Sequence, residues 1–139
     1  MEQLKAETTR NPQEMPGLAL AYMGDAVWEL LVRQHLLGQG EMRPHRLQKM
    51  SVYYVKAKSQ AQILHFLSGD LTEEEASVVR RGRNAKSGTV PKNADVIDYR
   101  HSTGFESLIG YLYLKGEHER LRQLAASAIQ YVDTILRKG

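Results

Sequence analysis

From Leu18 to Leu136 apolar residues return every three or four positions, in runs separated by Gly and Pro punctuation, and never in sustained alternation. That period stacks side chains on one face of a helix and argues against strands, so a chain of this pattern can only build layers of packed helices. The first run, Leu18 to Leu37, carries Val27, Leu30, Leu31 and Leu37 at helical intervals and stops at Gly38-Gln39-Gly40. After Pro44 one long helix is predicted from Arg46 to Leu67, with a stripe of Leu47, Met50, Tyr54, Ala57, Ala61 and Leu64. Thr72 followed by Glu75 is a capping-box pair, in which hydroxyl and carboxylate satisfy each other's orphan backbone donors, so a helix starts at about Glu73 and enters a basic stretch. Gly82, Gly88, Thr89 and Pro91 predict a loop from about Ser87 to Ala94. Helical spacing resumes from Asp95 to Leu114, halts at Lys115-Gly116, and returns from Glu117 to Leu136. The expectation is an all-α bundle of about five or six helices, one domain over residues 1–139 with a polar leader at 1–16.

Composition narrows the function classes. The chain has no cysteine, which excludes disulfide frameworks and thiolate metal sites. No apolar run reaches the length of about 18 residues that a membrane span needs, and the polar N-terminus carries both charge signs, so a cytoplasmic protein without an export signal is expected. The formal net charge of +3 is unevenly placed. Between Ala76 and Ala94 stand Arg80, Arg81, Arg83, Lys86 and Lys92 with no acid, leaving the remainder slightly negative. Such a run is either a solvated loop or a contact for a polyanion. It contains no aromatic residue to stack on splayed bases, so if it binds nucleic acid, a duplex held through phosphates is the expected ligand.

Two acids sit where solvent would not put them. On an ideal helix Asp25 shares a face with Leu18, Ala21 and Val32, and Glu106 shares one with Tyr99, Ile109 and Tyr113. Each could be paired with an arginine or a backbone donor. Alternatively, if their helices pack side by side, the carboxylates converge, and two like charges in one dry site stay ionised only around a cation. All-oxygen ligation suits Mg²⁺ or Mn²⁺, and a hard ion so held can activate water against a phosphodiester. Glu29, one turn after Asp25, is either a further ligand or a surface acid. The histidines are scattered without paired spacing, so a His-based zinc site has no support.

These same acids carry a resemblance. Tyr22-Met23-Gly24-Asp25-Ala26-Val27 resembles the first signature of the ribonuclease III family, whose Gly-Asp-Ala/Ser-Val core supplies a metal-binding Asp. Phe105-Glu106-Ser107-Leu108-Ile109-Gly110-Tyr111-Leu112-Tyr113-Leu114 resembles the second, whose Glu is the other essential ligand. The resemblance implies a Mg²⁺-dependent endoribonuclease that cuts double-stranded RNA and leaves 5′-phosphate. It also implies a homodimer forming a duplex-sized valley, with the signature helix and its Tyr22, Met23 and Trp28 at the interface. With one helix after the second signature, the chain is similar to the branch of the family that consists of the catalytic domain alone, which implies maturation of large-subunit (23S) ribosomal RNA precursor. The family's further acids fall here on Leu18, Ala21 and Thr103, so only Asp25 and Glu106 carry over, leaving waters, Thr103 or an unaligned acid such as Asp95 or Asp98 to complete a metal shell. The rival readings are a non-catalytic RNA-binding protein on the same fold and a helical protein-interaction module.

Overall fold

The structure is a computed structural model and describes residues 10–86, 90, 92 and 95–137. Among them are six α-helices and no strand: α1 (Gly17–Gly38), α2 (Pro44–Val55), α3 (Ala57–Leu67), α4 (Glu73–Arg83), α5 (Val96–Lys115) and α6 (His118–Tyr131). A short 3₁₀ turn, Pro12–Glu14, leads into α1, and a π-helical turn, Val132–Leu136, extends α6.

Helix α5 is the axis of the bundle and touches α1, α3, α4 and α6. Its sequence explains why. Ser102, Thr103, Gly104, Ser107 and Gly110 are small enough to admit neighbours on several sides, while Phe105, Leu108, Ile109, Tyr111 and Leu112 fill the space between them, and all ten are buried. A helix buried around most of its circumference is the centre of a core rather than its cover. Opposite Phe105 stands Trp28 of α1, wholly buried, its ring edge-on at 5.0 Å and its indole N–H donating to the Tyr54 carbonyl at 2.9 Å. This one side chain therefore joins α1, α2 and α5.

The expected single helix from Arg46 to Leu67 is two. Lys56 is extended (φ −66°, ψ 152°), and α3 restarts with its first internal bond from the Gln60 amide to the Lys56 carbonyl, 3.0 Å. No Gly or Pro marks the break, so only tertiary packing selects it. The consequence is a change of phase: α2 buries Tyr54, whereas α3 buries Ser59, Gln60, Ile63, Leu64 and Leu67. The stripe predicted through Ala57 and Ala61 is displaced accordingly.

The capping box at Thr72 and Glu75 is present in both halves, at 3.0 and 3.1 Å. Glu75 is buried and also accepts from Arg120 of α6 at 2.8 and 2.9 Å, which ties α4 to α6 and holds the Glu75 carboxyl below its ordinary pKa. The π-helical turn is fastened through Asp133, which lies 2.9 Å from His35 Nε2, accepts from the Tyr54 hydroxyl and is flanked by Arg137. Burial, then Asp133, pushes the Tyr54 phenol up to about 12. The expected Ser87 to Ala94 loop lies almost entirely outside the described residues, as do residues 1–9 of the leader.

Candidate active site

Helices α1 and α5 meet at backbone distance because both present glycine at the crossing. A Cβ on Gly24 would lie 1.7 Å from the Glu106 carbonyl oxygen, and one on Gly110 would lie 2.0 Å from the Leu20 carbonyl oxygen. Nothing larger fits at either place. Asp25 follows Gly24 directly and Glu106 lies one turn before Gly110, so the crossing delivers both carboxyl groups to one spot. They are close enough for Glu106 to hydrogen-bond Asp25.

Their settings differ. Glu106 is half-buried, but Asp25 is exposed, which corrects the expectation that it faces the core. The buried residues of α1 are Gly17, Leu20, Ala21, Gly24, Val27, Trp28, Val32 and Leu36; Leu18, on the stripe assigned to Asp25, is itself exposed. Asp25 thus stands at the rim, open to solvent. Glu106 is pushed up to about 8, first by burial, then by the Asp25 charge and the hydrogen bond to it, while a hydrogen bond from Gln60 opposes the shift. Burial beside a second carboxylate therefore favours the protonated form of Glu106 near neutral pH.

The candidates for completing a metal shell do not converge. Thr103 is buried with its hydroxyl on the Tyr99 carbonyl of its own helix at 3.0 Å, and Asp95 caps α5 by accepting from the Ile97 and Asp98 amides at 2.8 and 3.0 Å. Glu29 faces Arg33 at 3.7 Å. Asp98 lines a groove with His65 and His101. Among the described residues no group of three or more His, Cys, Asp or Glu side chains could hold a metal. The residue missed by sequence reasoning is Gln60, the neutral donor to Glu106; its only signal was a glutamine in an apolar stretch, out of phase with the predicted stripe.

The other predicted residues divide. Tyr22 is 84% exposed, one turn after exposed Leu18, and Met23 is half-buried, two turns before exposed Leu30. Trp28 is 0% exposed and cannot serve an interface between subunits; it belongs to the core because its indole is consumed by Tyr54 and Phe105. In the basic segment Arg80, Lys86 and Lys92 are exposed and Arg83 is half-buried, with Arg80 and Arg83 lining the groove of about 770 Å³ beside His65 and His101. Arg81 is otherwise engaged: its guanidinium donates to the Gln13 carbonyl at 2.5 Å and the Pro12 carbonyl at 3.4 Å, anchoring the leader. It is a structural residue rather than a free polyanion contact.

Comparison with known proteins agrees with the two signatures. Residues 18–117 match the model of the ribonuclease III domain. Mini-ribonuclease 3 from Brevibacillus brevis is 50% identical over 93% of this chain and 96% of its own length, and that from Symbiobacterium thermophilum is 50% identical over 88% and 95%. A crystal structure of a protein from Fusobacterium nucleatum superposes with a TM-score of 0.78 at 32% identity, covering 88% of this chain and 98% of that one. With both signatures meeting at the glycine crossing and the family model spanning most of the helical bundle, the chain belongs to the ribonuclease III family.

Proposed function

We propose that this protein is a divalent-metal-dependent endoribonuclease of double-stranded RNA, with Asp25 and Glu106 as its metal ligands and a homodimer as its working form. The observation that carries this reading is the convergence of the two carboxyl groups at the Gly24/Gly110 crossing, with Glu106 holding its proton up to about pH 8. The donor set suits a hard cation: the oxygens are all carboxylate or amide, and a positive charge between Asp25 and Glu106 would remove the repulsion that now raises one of them. With two carboxylates on the protein side, such an ion keeps several waters, as Mg²⁺ prefers and Mn²⁺ tolerates. When bound, the cation supplies an activated water and charge stabilisation at the scissile phosphodiester, with a 5′-phosphate product.

The chain's own residues do the rest. Asp25, at the exposed rim, presents its carboxylate toward an approaching phosphate backbone, while Glu106 anchors the site from α5 and must release its proton for the site to load. Arg80, Arg83, Lys86 and Lys92 supply positive charge for phosphates. Leu18 and Tyr22 leave exposed apolar surface on α1 next to Asp25, which supports pairing of two subunits along that helix. The large-subunit (23S) rRNA precursor in the cytoplasm is the proposed natural substrate, on the strength of the family resemblance of the two signatures. The test is incubation of the purified protein with a duplex RNA and with each of its single strands, in Mg²⁺ and in excess chelator. Cutting of the duplex alone and only with metal is expected; binding without cutting would make the protein a non-catalytic RNA binder.

A further inference from the structure

Helix α3 buries two polar side chains, Ser59 and Gln60, each 1% exposed. A buried primary amide costs about 1–3 kcal/mol when its hydrogen bonds are unmade, and a leucine would fill the same space without that penalty. Gln60 therefore needs a partner, and the Glu106 carboxyl is the acid within reach of its amide, which opposes the upward push of burial on that acid. The backbone is arranged to allow this contact. Had α2 continued through Lys56, Gln60 would point roughly a third of a turn away from the Tyr54 face. The extended Lys56 resets the phase so that Gln60 is buried with Ile63 and Leu67 in a helix that packs on α5. A helix is interrupted without Gly or Pro, and the interruption brings one neutral donor to one acid.

We infer that Gln60 is a positioning residue for Glu106, its amide holding the carboxyl group in the orientation in which a divalent cation and the substrate meet it. This inference rests on the reading of Glu106 as a metal ligand. The residue type fits the task. Lysine or arginine at this place would neutralise the charge that attracts the cation, and a second glutamate would add repulsion to a site that already contains two carboxylates. An apolar side chain would leave Glu106 free to turn. An amide orients without altering the net charge, and it remains a donor whether Glu106 is protonated or not.

Gln60→Met keeps the length of the side chain and removes the donor; Gln60→Leu removes the donor with a shorter, stiffer chain of similar bulk. In the full-length protein, Mg²⁺ affinity by titration calorimetry and kcat for duplex RNA are each expected to fall about 10- to 100-fold, while KM for the duplex stays within about twofold. Thermal stability in chelator should hold or rise, because an apolar group replaces a buried polar one. A residue that merely packs would do the reverse, lowering Tm and leaving Mg²⁺ affinity unchanged. Wild-type Mg²⁺ affinity together with wild-type kcat in either folded variant overturns the inference. If neither variant folds, the Gln60 side-chain amide resonances of the wild-type protein decide: they should shift on addition of Mg²⁺, and amide signals that stay put overturn the inference. Failure of the underlying reading is visible separately, since Glu106→Gln would then bind Mg²⁺ as tightly as wild type, and the positioning role falls with it.

Discussion

Glu106 links the site to the stability of the whole chain through its proton. Its pKa is raised from 4.5 unfolded to about 8 folded, so protonation favours the native state. That contribution is complete below pH 4.5 and is lost as the pH climbs through 8. Glu75 runs the other way: bound by Arg120, its pKa is lowered from 4.5, so its contribution is present above that value and is lost on further acidification. The metal-free protein should therefore melt highest near pH 5 and progressively lower toward pH 8, and Glu106→Gln should flatten the alkaline decline while keeping the acid one. Differential scanning calorimetry in chelator measures this; a wild-type Tm that rises from pH 5 to 8 contradicts it. Loading with Mg²⁺ at pH 7 should expel close to one proton per site, read from calorimetry in buffers of different ionisation enthalpy. Both acids were legible in the sequence because each interrupts an apolar run. Their settings were not, since helical periodicity cannot separate the rim of a face from its centre, and Asp25 lies at the rim.

At the level of elements the site depends on how closely two helices approach. Gly24→Ala or Gly110→Ala would force α1 and α5 apart, because neither added methyl can coexist with the facing backbone. Each should cost about 3 kcal/mol or more in denaturant titration and separate the carboxyl groups, abolishing activity in whatever remains folded. Gly38→Ala, where an added Cβ meets nothing, should be neutral or slightly stabilising in the same experiment. Equal effects at all three glycines would refute the close crossing. Trp28→Ala should likewise cost about 3–5 kcal/mol, as befits a core residue that sequence alone placed at a subunit interface. Its large apolar side chain signalled burial correctly. What buries it, Phe105 and the Tyr54 carbonyl from distant parts of the chain, has no local signature. Capping motifs were readable because they act within four residues; the break at Lys56 was not, because it has no Gly or Pro and only packing against distant parts of the chain selects it.

Across the whole molecule, charge and apolar surface remain on the outside for partners to use. Tyr22→Asp should leave the monomer folded, since its side chain is 84% exposed, and shift sedimentation from dimer toward monomer. A wild-type monomer at micromolar concentration would refute the dimer. Changing Arg80, Arg83, Lys86 and Lys92 to Ala should weaken duplex binding across sequences and flatten the log-affinity against log-salt slope by up to about 3.6, at about 0.9 for each phosphate that is no longer neutralised. Arg81→Ala should instead loosen the Pro12–Glu14 turn and leave that slope alone; an equal fall in slope for Arg81→Ala would return it to the binding surface. The proposed reacting centre is the pair Asp25 and Glu106. It is tested most directly by single-turnover cleavage of a duplex RNA in Mg²⁺ by wild type, Asp25→Asn and Glu106→Gln, each verified as folded. Cleavage by wild type and none by either variant is the predicted result, and near-normal turnover in either variant contradicts the account.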